Sequence, residues 1–542
     1  EALLWSFEDF NNFELENISL ARMTNNNWFM KGEASQIITL SAYSALQSAY
    51  LAYATNIDKA LGLIITPNKK ESSEFSEFML ALLAMNGEHA LRPHNRKFYF
   101  NAITSKFEPI YYDGDVSFTK LDKKYMSITP NLILSKAFTT DIAPNFIDKI
   151  TNLSNSGELK AVFSKRAEPL NKLKILKVNF DKFFDDSVAQ YIENVKFLSK
   201  KITKMLTDVN ENEMDEKSIL PFTQSLKNSA ISQNTIQKLE ILNEGYAATF
   251  ESGKYQYLTI KDVSKVLSRS KLDGERTVFL GSNIKNDMQT NVIHHPVRFA
   301  KKLTTSAGVE VKFSESEKKL TFTQKKENDW VLIQSGDFSG WKIQFNGIQK
   351  ANNSKLLTDQ RFNQNGLTGC INFYKSNFQN TTINVVGGVC EDSINIINSH
   401  GALKSVSVDG AFADAIDIDF STINISQIYV NNAGNDCFDV SGGSYRVSNA
   451  YLSNCSDKGI SVGEGSTLFA TAIDLNTAYI GVSSKDFSKV DILEAQFKGV
   501  NFCVEVIQKK QEFGGGFLLI DNIECDGALE VDQHSLYKVG SQ

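Results

Sequence analysis

Cysteine is missing from the first 369 residues of this 542-residue chain; all six, Cys370, Cys390, Cys437, Cys455, Cys503 and Cys525, fall in the last third. No C-x-x-C pair occurs among them, which excludes the usual structural zinc sites. No apolar run reaches the roughly 18 residues of a membrane-spanning helix, and no secretory leader pattern is visible. The chain begins at Glu1 rather than methionine, as expected of a processed or truncated product whose address lay upstream. An excess of positive charge is also missing. Lysine and arginine number 57 against 63 acids, a formal net charge of −6. That excludes a general nucleic-acid binder, because phosphate affinity needs clustered Lys and Arg. What is present, 42% hydrophobic and 22% charged residues, is the composition of a soluble globular protein. The length requires two or three domains.

An internal repeat organises the last third. Strand-like tetrapeptides start at 370 ("CINF"), 393 ("SINI"), 415 ("AIDI"), 437 ("CFDV"), 459 ("GISV"), 481 ("GVSS") and 503 ("CVEV"), one step of 23 residues and then steps of 22. The second column is Ile371, Ile394, Ile416, Phe438, Ile460, Val482 and Val504, and the third is Asn372, Asn395, Asp417, Asp439, Ser461, Ser483 and Glu505. Period-two alternation inside a 22-residue repeat, with a second strand in most copies, predicts a right-handed parallel β-helix. Propeller blades need about 40 residues, and a leucine frame is absent. Residues one repeat apart then lie about 4.8 Å apart on successive rungs. Cys503 and Cys525 should stack, and Cys370 with Cys390 and Cys437 with Cys455 are each near one turn apart. An even number of cysteines so confined points to disulfides and an oxidising compartment, although buried thiols would also suit a β core.

The same stacking gathers acids. Asp392, Asp414 and Asp436 share a column just before the strand; Asp417 and Asp439 share the third column, which is expected to point outward. Asp419, Asp457, Lys458, Glu464, Lys485 and Asp486 lie close by. Like charges at about 5 Å repel, so the lysines, a bound Ca²⁺ or raised carboxylate pKa values must offset them. One reading is structural, with aspartates satisfying turn N–H groups. The other is a saccharide site, because carboxylates on neighbouring rungs are spaced for acid/base work on a glycosidic bond. "DAIDID", "GNDCFDVSGG" and "DKGISVGEG" resemble the strands of β-helical polysaccharide-active proteins of the pectate lyase and polygalacturonase type. The latter carry their chemistry on paired aspartates and a Gly-His-Gly segment. By that resemblance "NDCFD" stands where the family has its aspartates and "DKGIS" where it has its histidine; the candidate saccharide site is Asp414, Asp417, Asp436, Asp439, Asp457 and Lys458, with Asp417, Asp439 and Lys458 as the catalytic candidates.

The first 145 residues mix helices and strands. Residues 34–64 and 72–87 read as amphipathic helices, the second with a serine N-cap. "RKFYFN" and "KFEPIYYDGDV" read as a hairpin about "AITS". Asp113 and Asp115 flank Gly114 at its end, where they can hold a hard cation such as Mg²⁺. His94, Asn95 and Arg96 start its first strand. This stretch resembles the CotH-like family of atypical secreted protein kinases, through Asn95 with "RKFYF" and through "EPIYYDGD". The resemblance implies a kinase-like α+β module in which Asp113 binds Mg²⁺ and ATP, Asn95 supports it, and an acidic catalytic residue precedes the Asn. Glu88 and His89 are the candidates there.

Residues 146–275 are polar. Phe184, Val188, Tyr191, Val195, Leu198, Ile202 and Met205 mark one long helix, and the region is expected to be a helical insertion. His294 and His295 precede a proline and are expected in a loop. Residues 276–369 read as the first irregular turns and cap of the β-helix.

The sequence thus predicts a multidomain chain: a CotH-like module over 1–145, a helical insertion over 146–275 and a β-helix over 276–542. The expected function is a secreted, cell-surface or periplasmic protein of bacterial character, without a membrane span. It would join an Mg²⁺–ATP phosphotransferase to a β-helix that binds or processes polysaccharide, with a polysaccharide or a surface protein as substrate. A glycan hydrolase or lyase alone, and a non-catalytic adhesin, are the alternatives.

Overall fold

The structure, a computed structural model, describes residues 26–43, 72–91, 97–121, 142–155, 180–210, most of 235–285, and 292–540 apart from 328 and 349–360, with short pieces at 4–6, 22–23, 157 and 160. The chain divides into two compact units, Glu1–Asn286 and Asp287–Gln542.

In the first unit the expected helices form at 33–43, Ser72–Ala84 and Phe180–Asn210. The helical expectation for 44–64 lies outside the described residues. The apolar stripe of the long helix, Tyr191, Val195 and Leu198, packs against Met79, Leu80 and Leu83. A polar residue is buried in that contact. Asn194 donates from Nδ2 to Ala84 O and Thr119 O, both at 2.8 Å, and its Oδ1 accepts from Leu121 N at 3.1 Å. These bonds tie the end of one helix and the segment after Asp115 to the long helix. The hairpin forms as Lys97–Asn101 against Lys106–Ile110. It ends at Ile110, so Asp113 and Asp115 lie beyond the strand rather than on it.

The middle of the chain is not wholly helical. Thr235–Leu242, Gly245–Phe250, Tyr255–Leu258 and Val278–Lys285 form a four-stranded sheet. Tyr246, Ala247 and Ala248 are buried in succession, on both faces of their strand, so polar and apolar residues do not alternate there. Their period-two signal is therefore weak beside the long helix.

The second unit is a parallel β-solenoid of about nine turns. Ile371, Ile394, Ile416, Phe438, Ile460, Val482 and Val504 pair in register, rung upon rung. A second interior ladder runs through Val385, Val408, Val430, Leu452, Leu475 and Phe497. Every side chain in both is buried. Parallel stacking needs like volumes in each column, which the 22-residue period supplies. The first strands of the unit instead pair antiparallel, Ala300–Ser306 against Val331–Ser339 and Glu310–Ser314 against Lys319–Thr323. Phe299, Phe338, Trp341, Phe373 and Phe378 pack there with neighbouring ring centroids 4.5–5.9 Å apart. His294 and His295 lie in a strand, Val292–His295, not a loop. His295 Nε2 lies 2.9 Å from Thr305 Oγ1 on the paired strand, which accommodates the polar ring in a β edge.

All six cysteines pair as their spacing predicts: Cys370–Cys390, Cys437–Cys455 and Cys503–Cys525. Among the described residues no helix is long and apolar enough to cross a membrane. Three bridges fit a secreted or extracellular protein. Two outcomes follow. Thiol titration of the denatured chain should find no free thiol before reduction and six after it. Phe438→Ala, which empties one rung of the core, should cost about 3–5 kcal/mol in denaturant titration.

Candidate functional site

Alternation along Asp414–Asp419 turns Ile416 and Ile418 inward and places Asp417 and Asp419 on the outer face. Two residues apart on one strand means the same side, so Asp419 belongs with Asp417, a signal already present in "DID". On the next rung Asp439 lies opposite Asp417, and Ser461 and Ser483 continue that column. The column points away from the core and is only partly open to solvent. Asn395, Ser461 and Ser483 are buried, and Asp417, Asp419 and Asp439 are half-buried. Basic side chains close over it. Lys485, itself buried, donates from Nζ to Ser461 Oγ at 2.6 Å, and Lys510 pairs with Glu464. Arg361 pairs with Glu391 and with Asp414 Oδ2, the latter at 3.3 Å. Arg361 and Lys510 come from turns outside the repeat, which is why their part cannot be read from column spacing.

The corner column has a structural task. Asp414 Oδ1 accepts from the next rung's Asp436 N at 2.8 Å and from Asn435 Nδ2 at 2.6 Å. Asp436 Oδ1 in turn accepts from Lys458 N at 3.0 Å. Each carboxylate thus satisfies a backbone N–H one rung on. Lys458 Nζ lies 3.7 Å from Asp436 Oδ1 and also pairs with Asp457. Burial works against its charge, but these two acids outweigh burial and raise its pKa. Asp392 breaks the ladder: the N–H of Asp414 goes to Glu391 O instead, at 2.8 Å. Asp392 Oδ2 is left buried without a hydrogen-bond partner. Among the described residues, Glu391, Asp392 and Asp414 form the group whose ligand atoms lie close enough together, within 4.8 Å, to hold a metal ion. Arg361 supplies the positive charge at that point.

The outer acids are electrostatically coupled. Burial first, then the charges of Asp439 and Glu464, push Asp419 up to about 7. Burial, then Asp439 and Asp414 against the opposing Lys458, push Asp436 up to about 7. Burial and then Asp419 and Asp392 hold Asp417 well above the carboxylate range, and burial does the same for Asp392. Asp439 acts on Asp414, Asp417, Asp419 and Asp436 alike. It is the shared neighbour of the set. The arrangement therefore gathers carboxyl groups of raised pKa around one shared aspartate, Asp439, the kind of uneven carboxyl set that acid/base chemistry uses.

In the first unit the structure brings His89 and Asp113 together, Nε2 to Oδ2 at 3.2 Å, both well exposed. Glu88 and His89 lie in a short 3-10 helix, Glu88–Leu91. Asp113 and Asp115 both adopt left-handed backbone, at φ 49° and 46°, and Asp115 is exposed. His94, Asn95 and Arg96 lie outside the described residues.

No family model, no curated protein and no solved structure matches the chain. The kinase-like and polysaccharide-type resemblances rest on the motifs alone.

The raised carboxyl pKa values carry a stability sign. An unfolded aspartate titrates near 3.9, so between about pH 4 and 7 the native chain binds more protons than the unfolded one, and stability falls as pH rises. The lowered carboxyl groups Asp262 and Asp532 titrate below this window; His295, lowered by burial and then by His294, works inside it with the opposite sign, one group against several aspartates. The thermal midpoint should therefore rise as pH falls from about 8 to about 5. Asp419→Asn should flatten that slope. A midpoint that drops steadily over the same interval contradicts the assignment.

Proposed function

We propose that the chain is a secreted or cell-surface protein whose solenoid processes a polysaccharide at the outer acid face. The observation that carries this reading is Asp419, protonated up to about pH 7 on the strand next to Asp439. On regular sheet spacing the two Cα atoms lie about 8 Å apart on the diagonal. Both side chains rise from the same face, so the pair can flank one glycosidic bond as acid and base. Asp419 gives its proton to the leaving glycosidic oxygen, and Asp439 takes one from the attacking water. Asp417, stacked on Asp439, stays neutral and spares the base a second charge. Lys458 neutralises Asp436 and Asp457 at the edge of the set. Arg361, paired with Glu391 and Asp414, adds positive charge beside it.

Reducing-end release from a panel of neutral and acidic glycans tests the reading. Asp439→Asn and Asp419→Asn should each lower the rate by about 10²–10⁴-fold. Equal rates in wild type and both variants would contradict it. Absorbance from an unsaturated product, rising together with the new reducing ends, would redirect it to elimination.

A second reading, phosphotransfer by the first unit, is favoured by the His89–Asp113 contact. Asp113 and Asp115 would hold Mg²⁺ on ATP, with His89 at the acceptor hydroxyl. Calorimetry should then show Mg²⁺-dependent ATP binding that Asp113→Ala removes. An absence of heat in the intact protein contradicts it.

A further inference from the structure

Six successive rungs of the solenoid turn their corner, just after the outer strand, through left-handed backbone. In successive rungs the residue there is Lys375 (φ 53°), Asn398 (50°), Phe420 (49°) and Gly442 (64°). Further on, the corner holds Glu464 with Gly465 (57° and 72°) and then Asp486 with Phe487 (55° and 62°). Asparagine and glycine tolerate this conformation, whereas a bulky aromatic residue there is an outlier. Two of these corners carry phenylalanine nonetheless, and neither ring is used in the core. Phe420 is 59% exposed and Phe487 is 53% exposed. A strained backbone that leaves a large apolar side chain in water gains nothing for folding.

The rings are supported from behind. A Cβ on Gly442 would stand 2.5 Å from Phe420 Cδ1, and a Cβ on Gly514 would stand 2.2 Å from Phe487 Cε1. Each ring therefore lies against a glycine that leaves room for it. Phe513 also packs edge-on to Phe487, with centroids 6.3 Å apart. Both rings adjoin the acid face in sequence. Phe420 directly follows Asp419, and Phe487 follows Asp486 and Lys485. The two corners are three rungs apart, about 14 Å along the solenoid axis. Between them lie the rungs that carry Asp439, Ser461 and Glu464.

We propose that Phe420 and Phe487 are stacking platforms for two pyranose rings of one glycan chain, bound along the solenoid axis across the outer acid face. An aromatic face matches the C–H face of a sugar ring, while the half-buried carboxyl groups of Asp439 and Glu464 between the platforms take its hydroxyls. The inference rests on the polysaccharide reading of that face and adds where, and in which direction, the chain lies.

The test replaces each phenylalanine by the residue that a neighbouring rung uses at the same corner, Phe420→Asn after Asn398 and Phe487→Gly after Gly465. Binding is read on an array of neutral and acidic polysaccharides in the Asp439→Asn background, so that turnover does not interfere. The double replacement should weaken glycan binding at least tenfold. Phe420→Asn alone should leave the thermal midpoint unchanged or raise it, because it relieves the backbone. A lower midpoint for Phe420→Asn would make that ring a structural element and overturn the proposal. Undiminished glycan binding by the double variant would overturn it too, while leaving the acid chemistry standing. If the protein with intact phenylalanines captures no glycan on the array, and wild type releases no reducing ends, the polysaccharide reading falls and the platforms with it.

Discussion

The parallel hydrogen-bond ladder of the solenoid is the constraint on which the rest of the second unit depends. It fixes successive rungs about 4.8 Å apart, so a side chain repeated every 22 residues stands on its own copy. In the interior this favours folding, because Ile394, Ile416 and Phe438 fill one continuous column. On the outer face the same spacing places Asp417 on Asp439, where repulsion between two charges would oppose the stack. The fold cannot move them apart without breaking the ladder.

The molecule answers that repulsion in two ways. Where a carboxylate can reach the next rung's N–H, it remains useful as a backbone acceptor, as Asp414 and Asp436 do. Elsewhere cations are brought in: Lys458 and Lys485 from within the repeat, Arg361 and Lys510 from turns outside it. Burial removes the remaining charge by raising the pKa of Asp392, Asp417 and Asp419. Protons stored this way near neutrality are what distinguishes an acid face with chemical potential from a purely structural ladder.

Much of this was legible in the chain itself. The repeat, its core columns and the disulfide partners follow from position arithmetic, because a ladder converts sequence spacing directly into distance. The acid columns were legible for the same reason. The covering of the outer face was not, since Arg361 and Lys510 belong to insertions that the period does not constrain. Asp419 was legible from strand alternation but is easily overlooked beside the stacked pair. In the first unit the long helix and the hairpin announce themselves by period. The sheet spanning Thr235–Leu242 to Val278–Lys285 does not, because Tyr246, Ala247 and Ala248 are buried in succession and leave no polar/apolar alternation. Nothing in the helical period of 180–210 signals that Asn194 would be buried as a clasp.

The central claim is that several aspartates of the outer face keep their protons at neutral pH. Infrared spectroscopy of protein labelled with carbon-13 aspartate observes this directly, through the carbonyl stretch of protonated carboxyl groups. The account predicts a labelled protonated-carboxyl band at pH 6 that fades only above about pH 7 and loses intensity in Asp419→Asn. A spectrum in which every labelled aspartate is ionised by pH 5 would contradict it.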